Sequence, residues 1–158
     1  MTSPWQHDQA KRNVSVWLGV AATVAVLSVI VLTHRSFGGY TRKFVFMPLL
    51  TKLDKFACLL RRCDLAEHAL REVAVDTLGN ALIFVPLGVV LTLALRKSTH
   101  PILLAMLLGA GLSITYEVIQ VWLPGRVVAI DDVLLNTAGT GLGAWLSLLA
   151  GRLCRQGK

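Results

Sequence analysis

The stretch SITYEVIQVWLPGRVVAIDDVLLN, residues 113–136, carries Glu117, Gln120, Arg126, Asp131, Asp132 and Asn136 through the most apolar half of the chain. Those residue types do three kinds of chemistry. Carboxylates accept a proton or hold a cation, a guanidinium grips phosphate or carboxylate oxygens, and amides orient polar headgroups. Their spacing is helical. Ser113, Glu117 and Gln120 recur at helical steps along one stripe, Asp132, Asn136 and Thr140 along another, and Asp76 and Asn80 upstream are one turn apart.

In hydrocarbon such groups need partners, because an Asp at mid-helix costs roughly +2.5 to +3.5 kcal/mol even on lenient insertion scales. The arrangement of lowest cost gathers Asp76, Asn80, Glu117, Gln120, Asp132 and Asn136 into one polar cleft roofed by Arg126 and open toward one membrane face. The expected ligand-binding set is therefore Asn80, Glu117, Gln120, Arg126, Asp132 and Asn136. For any single amide or hydroxyl, a plain hydrogen bond between helices, worth roughly 0.6 kcal/mol, is an equal reading. For Glu117 with Asp132 a binding or catalytic role is favoured, since two acids with one arginine leave negative charge that packing alone does not require.

The elements that position these residues are visible in the hydropathy. The chain has 158 residues, 54% of them hydrophobic and only 16% charged, with a mean hydropathy of +0.63. Such a composition excludes an ordinary soluble domain and predicts an all-α, polytopic membrane helix bundle. Four spans are expected, at about 14–32, 73–95, 101–123 and 127–150, flanked by a basic N-terminal tail over 1–13 and a basic C-terminal tail over 151–158. The first reads as an uncleaved anchor, because its apolar run exceeds a signal-peptide core and no small-residue cleavage site comes after it. Pro86 should bend the second span, and Gly139 with Gly143 forms a G-x-x-x-G pair that lets a neighbouring helix come close.

Between the first two spans, apolar residues alternate with charges. About 44–62 reads as an interfacial amphipathic segment, with Phe44, Phe46, Leu49 and Phe56 toward acyl chains and Lys52, Lys55, Arg61 and Arg62 toward headgroups. A loop packed over the bundle would use the same residues. With four spans, the start of the second, the end of the third and the start of the fourth share one side, so the polar stripes lie at similar depth.

The net charge of +7 does not point to nucleic acid, because the basic residues cluster beside apolar runs, where lipid headgroups and topology account for them. The two tails and the Arg96–Lys97 connection are the more densely basic side, which predicts cytoplasmic termini and a cleft facing outward. Cys58, Cys63 and Cys154 read as ordinary small side chains, Cys58 and Cys63 pairing only in an oxidising compartment, and no Cys/His spacing suits zinc. No cofactor signature is present, although carboxylate and amide oxygens are the donors a hard divalent cation takes.

Two longer patterns, GNALIFVPLGVVL and SITYEVIQ followed by GR and DDVLLNTAGTGLG, resemble the VanZ-like membrane proteins. The matching positions are Asn80, Phe84, Pro86 and Gly88; Ser113, Glu117 and Gln120; and Gly125, Arg126, Asp132, Asn136, Gly139 and Gly143. Each piece is weak alone and the joint match is specific; it covers about 73–146, with a fainter likeness in RKFVFMPLL. The chain departs from the family at Val45, where an Asn is frequent, at Met47, and at Ala129, where many members carry an Asp. The resemblance implies a cell-membrane protein linked by analogy to resistance against teicoplanin, a lipoglycopeptide, and carries no established mechanism.

Three functions fit these residues. The first is binding of a lipid-linked or amphiphilic envelope ligand, such as a cell-wall precursor or the lipoglycopeptide itself. The second is an intramembrane enzyme acting on a lipid-linked phosphate or glycan, with Glu117 or Asp132 as general base and Arg126 stabilising charge; no nucleophile stands beside an evident base. The third is a small transporter or accessory subunit, for which four spans would require homo-oligomerisation.

Overall fold

A computed structural model describes the backbone of residues 4–33, 43–45, 66–123 and 127–156, and the side chains of 9, 11–33, 77–123 and 130–154. Four long helices dominate: α1 (Pro4–Thr33), α2 (Ala66–Ala94), α3 (Pro101–Val121) and α4 (Ile130–Gln156). Each contains a stretch long and apolar enough to cross a bilayer, at Lys11–Thr33, Thr77–Ala94, Pro101–Val121 and Ile130–Cys154. The chain is thus an all-helical membrane protein with four candidate spans. Large apolar side chains such as Leu18, Val29, Leu82, Leu107, Val118 and Leu134 are exposed on all four helices, as expected of surfaces solvated by acyl chains.

Helix ends differ from the hydropathy limits in three places. The basic N-terminal segment is already helical from Pro4, and α2 begins at Ala66, before its apolar run. A helix continues past an apolar run wherever charged residues sit in aqueous or headgroup surroundings, because its backbone hydrogen bonds do not depend on hydropathy. At the other end of the fold, Val127–Ala129, expected within the fourth span, forms a strand (β2) that pairs in parallel with Lys43–Val45 (β1). The register sets Lys43 opposite Val127, Phe44 opposite Val128 and Val45 opposite Ala129. Phe44 and Val45, at the start of the expected interfacial segment, are thus strand; residues 46–62 of that segment lie outside the described residues.

Without a hydrophobic force between helices in lipid, close packing and polar contacts hold the bundle. The tightest packing joins α2 and α4. A Cβ on Gly139 would overlap the Ala81 carbonyl, one on Gly143 the Val85 carbonyl, and one on Gly88 the Thr140 carbonyl. Ala81 and Val85 are a turn apart, as are Gly139 and Gly143, so the two helices run parallel with backbone against backbone. Pro86 lies inside α2 on an exposed position, and the helix continues through it. The small apolar core contains Leu27, Phe84, Leu87, Leu91, Tyr116 and Ala144; the rings of Phe84 and Tyr116 meet edge to face with centroids 6.4 Å apart.

Candidate functional site

α3 and α4 run antiparallel, and their facing residues build a polar layer. Asn136 Nδ2 donates to Ser113 Oγ at 2.8 Å, both side chains being buried. One turn further along α4, Thr140 Oγ1 donates back to the Asn136 carbonyl at 2.8 Å, a local bond that satisfies its own hydroxyl hydrogen. Gly109 on α3 lies so close to the Thr140 side chain that a Cβ there would overlap it. The helices approach closely at this level because one of them carries glycine.

The bond to Ser113 uses one end of the Asn136 amide. Among the described residues, the other end, Asn136 Oδ1, is a buried atom without a hydrogen-bond partner, and Thr77 Oγ1 on α2 is the second such atom. Turning the amide over would only exchange which end is orphaned. The α2/α4 register brings the two residues to a similar depth: Ala81 lies at Gly139, so Thr77, one turn earlier, comes level with Leu135, next to Asn136. An unpaired buried polar group costs about 1–3 kcal/mol, which makes two at a similar level a feature to explain.

Glu117 sits one turn from Ser113 toward the end of α3 and is only 9% exposed. Its remaining exposure opens into a groove of about 230 Å³ between α3 and α4, whose other walls are Ile114, Val118, Val121, Ile130 and Val133. Ile114, Val118 and Ile130 are exposed, so the groove opens on the membrane-facing surface rather than into a central cleft. Gln120, a turn further, is buried and its Nε2 donates to the Val31 carbonyl of α1 at 3.1 Å. Of the adjacent acids at the start of α4, Asp131 is buried at 6% exposure and Asp132 is half-buried. Both stand in the first turn of α4, where the helix dipole favours negative charge. Neither these two nor Glu117 stands free of partners.

The residues expected from the sequence are brought together only in part. Glu117, Gln120, Asn136, Ser113 and Thr140 are buried, while Asn80 and Asp132 are half-buried. The Asp76 side chain, Arg126 and the Gly125 hinge lie outside the described residues. Among the described residues, no group of three or more His, Cys, Asp or Glu is gathered as metal ligands would be.

Three contributors were missed by sequence reasoning. Thr77 was passed over between Asp76 and Asn80, although it shares the face of Ala81 and Val85, the face that meets α4. Asp131 carried no signal separating it from its neighbour. The third is α1, read as an anchor alone: Tyr116 Oη and Ser28 Oγ lie 2.9 Å apart, and Tyr116 Oη also donates to the Val24 carbonyl at 3.3 Å. Ser28, Val24 and Val31 recur at helical steps on the packed face of α1, a pattern its nearly uniform hydropathy hides.

The strand pair adds one link. Lys43–Val45 is joined by backbone pairing to Val127–Ala129, the residues that lead into α4. Two motif-bearing segments, separated by most of the chain's length, are thus neighbours in the fold. No curated protein and no solved structure matches the chain. The VanZ/LLP1 family model matches residues 16–151, and with the motif-bearing helices packed against one another in the same span, the chain belongs to the VanZ/LLP1 family.

Proposed function

We propose that this membrane protein binds a lipid-linked or amphiphilic cell-envelope ligand, with the polar head in the layer of Thr77, Ser113 and Asn136 beside Glu117 and the hydrocarbon part in the apolar groove between α3 and α4. One observation carries the reading: two unpartnered buried polar atoms, Asn136 Oδ1 and Thr77 Oγ1, on residues at a similar depth of facing helices. A hydroxyl or amide of a ligand head that reached either atom would offset the cost of leaving it unpaired. Glu117 links that layer to the groove, since it lines the groove and lies one turn from Ser113. The groove, at about 230 Å³, is smaller than the roughly 300–1,000 Å³ of whole-molecule sites and suits one part of an amphiphile.

Arg126 would meet a phosphate or carboxylate at the ligand's outer end, from the connection between α3 and β2. In this reading the protein resides in the cell membrane with cytoplasmic termini, meets its ligand from the outer side, and alters susceptibility to teicoplanin-type lipoglycopeptides by holding the lipid-linked precursor or the drug. The test is native mass spectrometry of the protein extracted with its surrounding lipid. The wild type should retain an amphiphile that is lost in Thr77→Val/Asn136→Leu and weakened in Glu117→Gln. Retention of the same species by both variants would refute the reading. Teicoplanin tolerance of an expressing host, compared for the same variants, tests the link to resistance.

A further inference from the structure

A second groove lies at the opposite end of the same α3/α4 seam. It measures about 350 Å³ and is lined by residues 99–103, Met106 and Leu148. Leu103 here and Ile114 in the first groove are eleven residues apart, close to three helical turns, so both grooves run along one face of α3. From Pro101 to Glu117 is about 24 Å of helix. The second groove therefore belongs to the other leaflet, and a ligand held there is independent of the one proposed for the polar layer.

Its rim is basic. Arg96, Lys97 and His100 are exposed in and after the turn that precedes α3, and Arg152 is exposed one turn beyond Leu148 on α4. Because α3 and α4 are antiparallel, with Asn136 on Ser113 and Gly141 against Met106, Arg152 and the Arg96–Lys97 turn come to the same membrane level. Neither residues 95–106 nor residues 148–156 contain an acid. An apolar trough that opens to lipid and ends among basic residues, with no acid in the two segments that form it, has the chemistry of an anionic lipid site.

We propose that this groove binds one anionic phospholipid, with an acyl chain along Ile102, Leu103, Met106 and Leu148 and the phosphate between Lys97 and Arg152. The volume falls in the range of specific small-ligand sites, roughly 300–1,000 Å³, and the charge selects against zwitterionic lipid. Basic residues on α1 serve as an internal comparison: Lys11 and Arg12 are exposed but α1 does not line the groove.

The experiment measures retention of phosphatidylglycerol against phosphatidylcholine of the same chains, by native mass spectrometry of the full-length protein. The expected result is one preferentially retained phosphatidylglycerol. Its preference should fall roughly 25-fold in Lys97→Gln/Arg152→Gln, at about fivefold per basic residue near a membrane surface. It should also fall in Leu103→Trp, which fills the groove from an exposed position, and stay unchanged in Lys11→Gln/Arg12→Gln. Far-UV circular dichroism checks that each variant keeps its helices. Equal loss in the α1 variant, or full preference in Leu103→Trp, would mean diffuse attraction to the basic end and overturn the site, as would equal retention of both lipids by the wild type.

Discussion

The close approach of α2 and α4 makes a prediction whose sign is decided by geometry. An added Cβ at Gly139 would lie 2.7 Å from the Ala81 carbonyl carbon and 3.0 Å from its Cα, where ordinary contact begins at 3.4 Å. Both partners are backbone and the carbonyl oxygen lies closer still, so no side-chain rotation relieves the overlap and the helices must separate by more than about 0.7 Å, the shortfall at the carbonyl carbon. Overpacking of this kind costs about 1–3 kcal/mol. Alanine's better helix propensity returns up to about 1 kcal/mol, leaving a net loss of about 1–2 kcal/mol for Gly139→Ala. For a chain of this size that lowers Tm by about 2–8 °C. Gly111 on α3 is the control, being exposed with nothing within 4 Å of an added Cβ, so Gly111→Ala should leave Tm unchanged or raise it. Thermal unfolding in one detergent, monitored by far-UV circular dichroism, compares the two. Equal shifts of the same sign would refute the argument that backbone contact between α2 and α4 determines the stability of the bundle.

Other consequences can be measured separately. Ser113→Ala/Asn136→Leu removes a paired and an orphaned polar group together, so Tm should change by less than about 1 kcal/mol equivalent while ligand retention is lost; a large Tm loss would mean that the pair is structural. Tyr116→Phe/Gln120→Leu cuts the polar contacts of α3 to Ser28, Val24 and Val31, and at roughly 0.6 kcal/mol per bond in membrane should lower stability by about 1–2 kcal/mol, read as a lower Tm. Cys154 is exposed near the end of α4. In a Cys58→Ser/Cys63→Ser background, a membrane-impermeant maleimide should label it only after the cells are opened; labelling of intact cells would reverse the proposed orientation.

Length and hydropathy alone give the four candidate spans, and successive spans must then alternate in direction. From that alone Ser113, Glu117 and Gln120 were expected near the membrane level of Asn136, and Gly139 with Gly143 offered an approach face that the structure shows in use. Helical spacing says which residues share a face; it does not say what the face meets. The partners came only from the tertiary structure: Ala81 and Val85 under Gly139 and Gly143, Ser113 for Asn136, and the α1 carbonyls for Tyr116 and Gln120. The rotation of α4 that buries Asp131 more deeply than Asp132 is set by backbone contact with α2, and no local pattern separates two adjacent acids. The pairing of Lys43–Val45 with Val127–Ala129 is likewise non-local, because three-residue strands carry too little periodicity to be read. Thr77 was passed over for the same reason: whether a small hydroxyl in a span is buried against a neighbour depends on the helix that lies across from it.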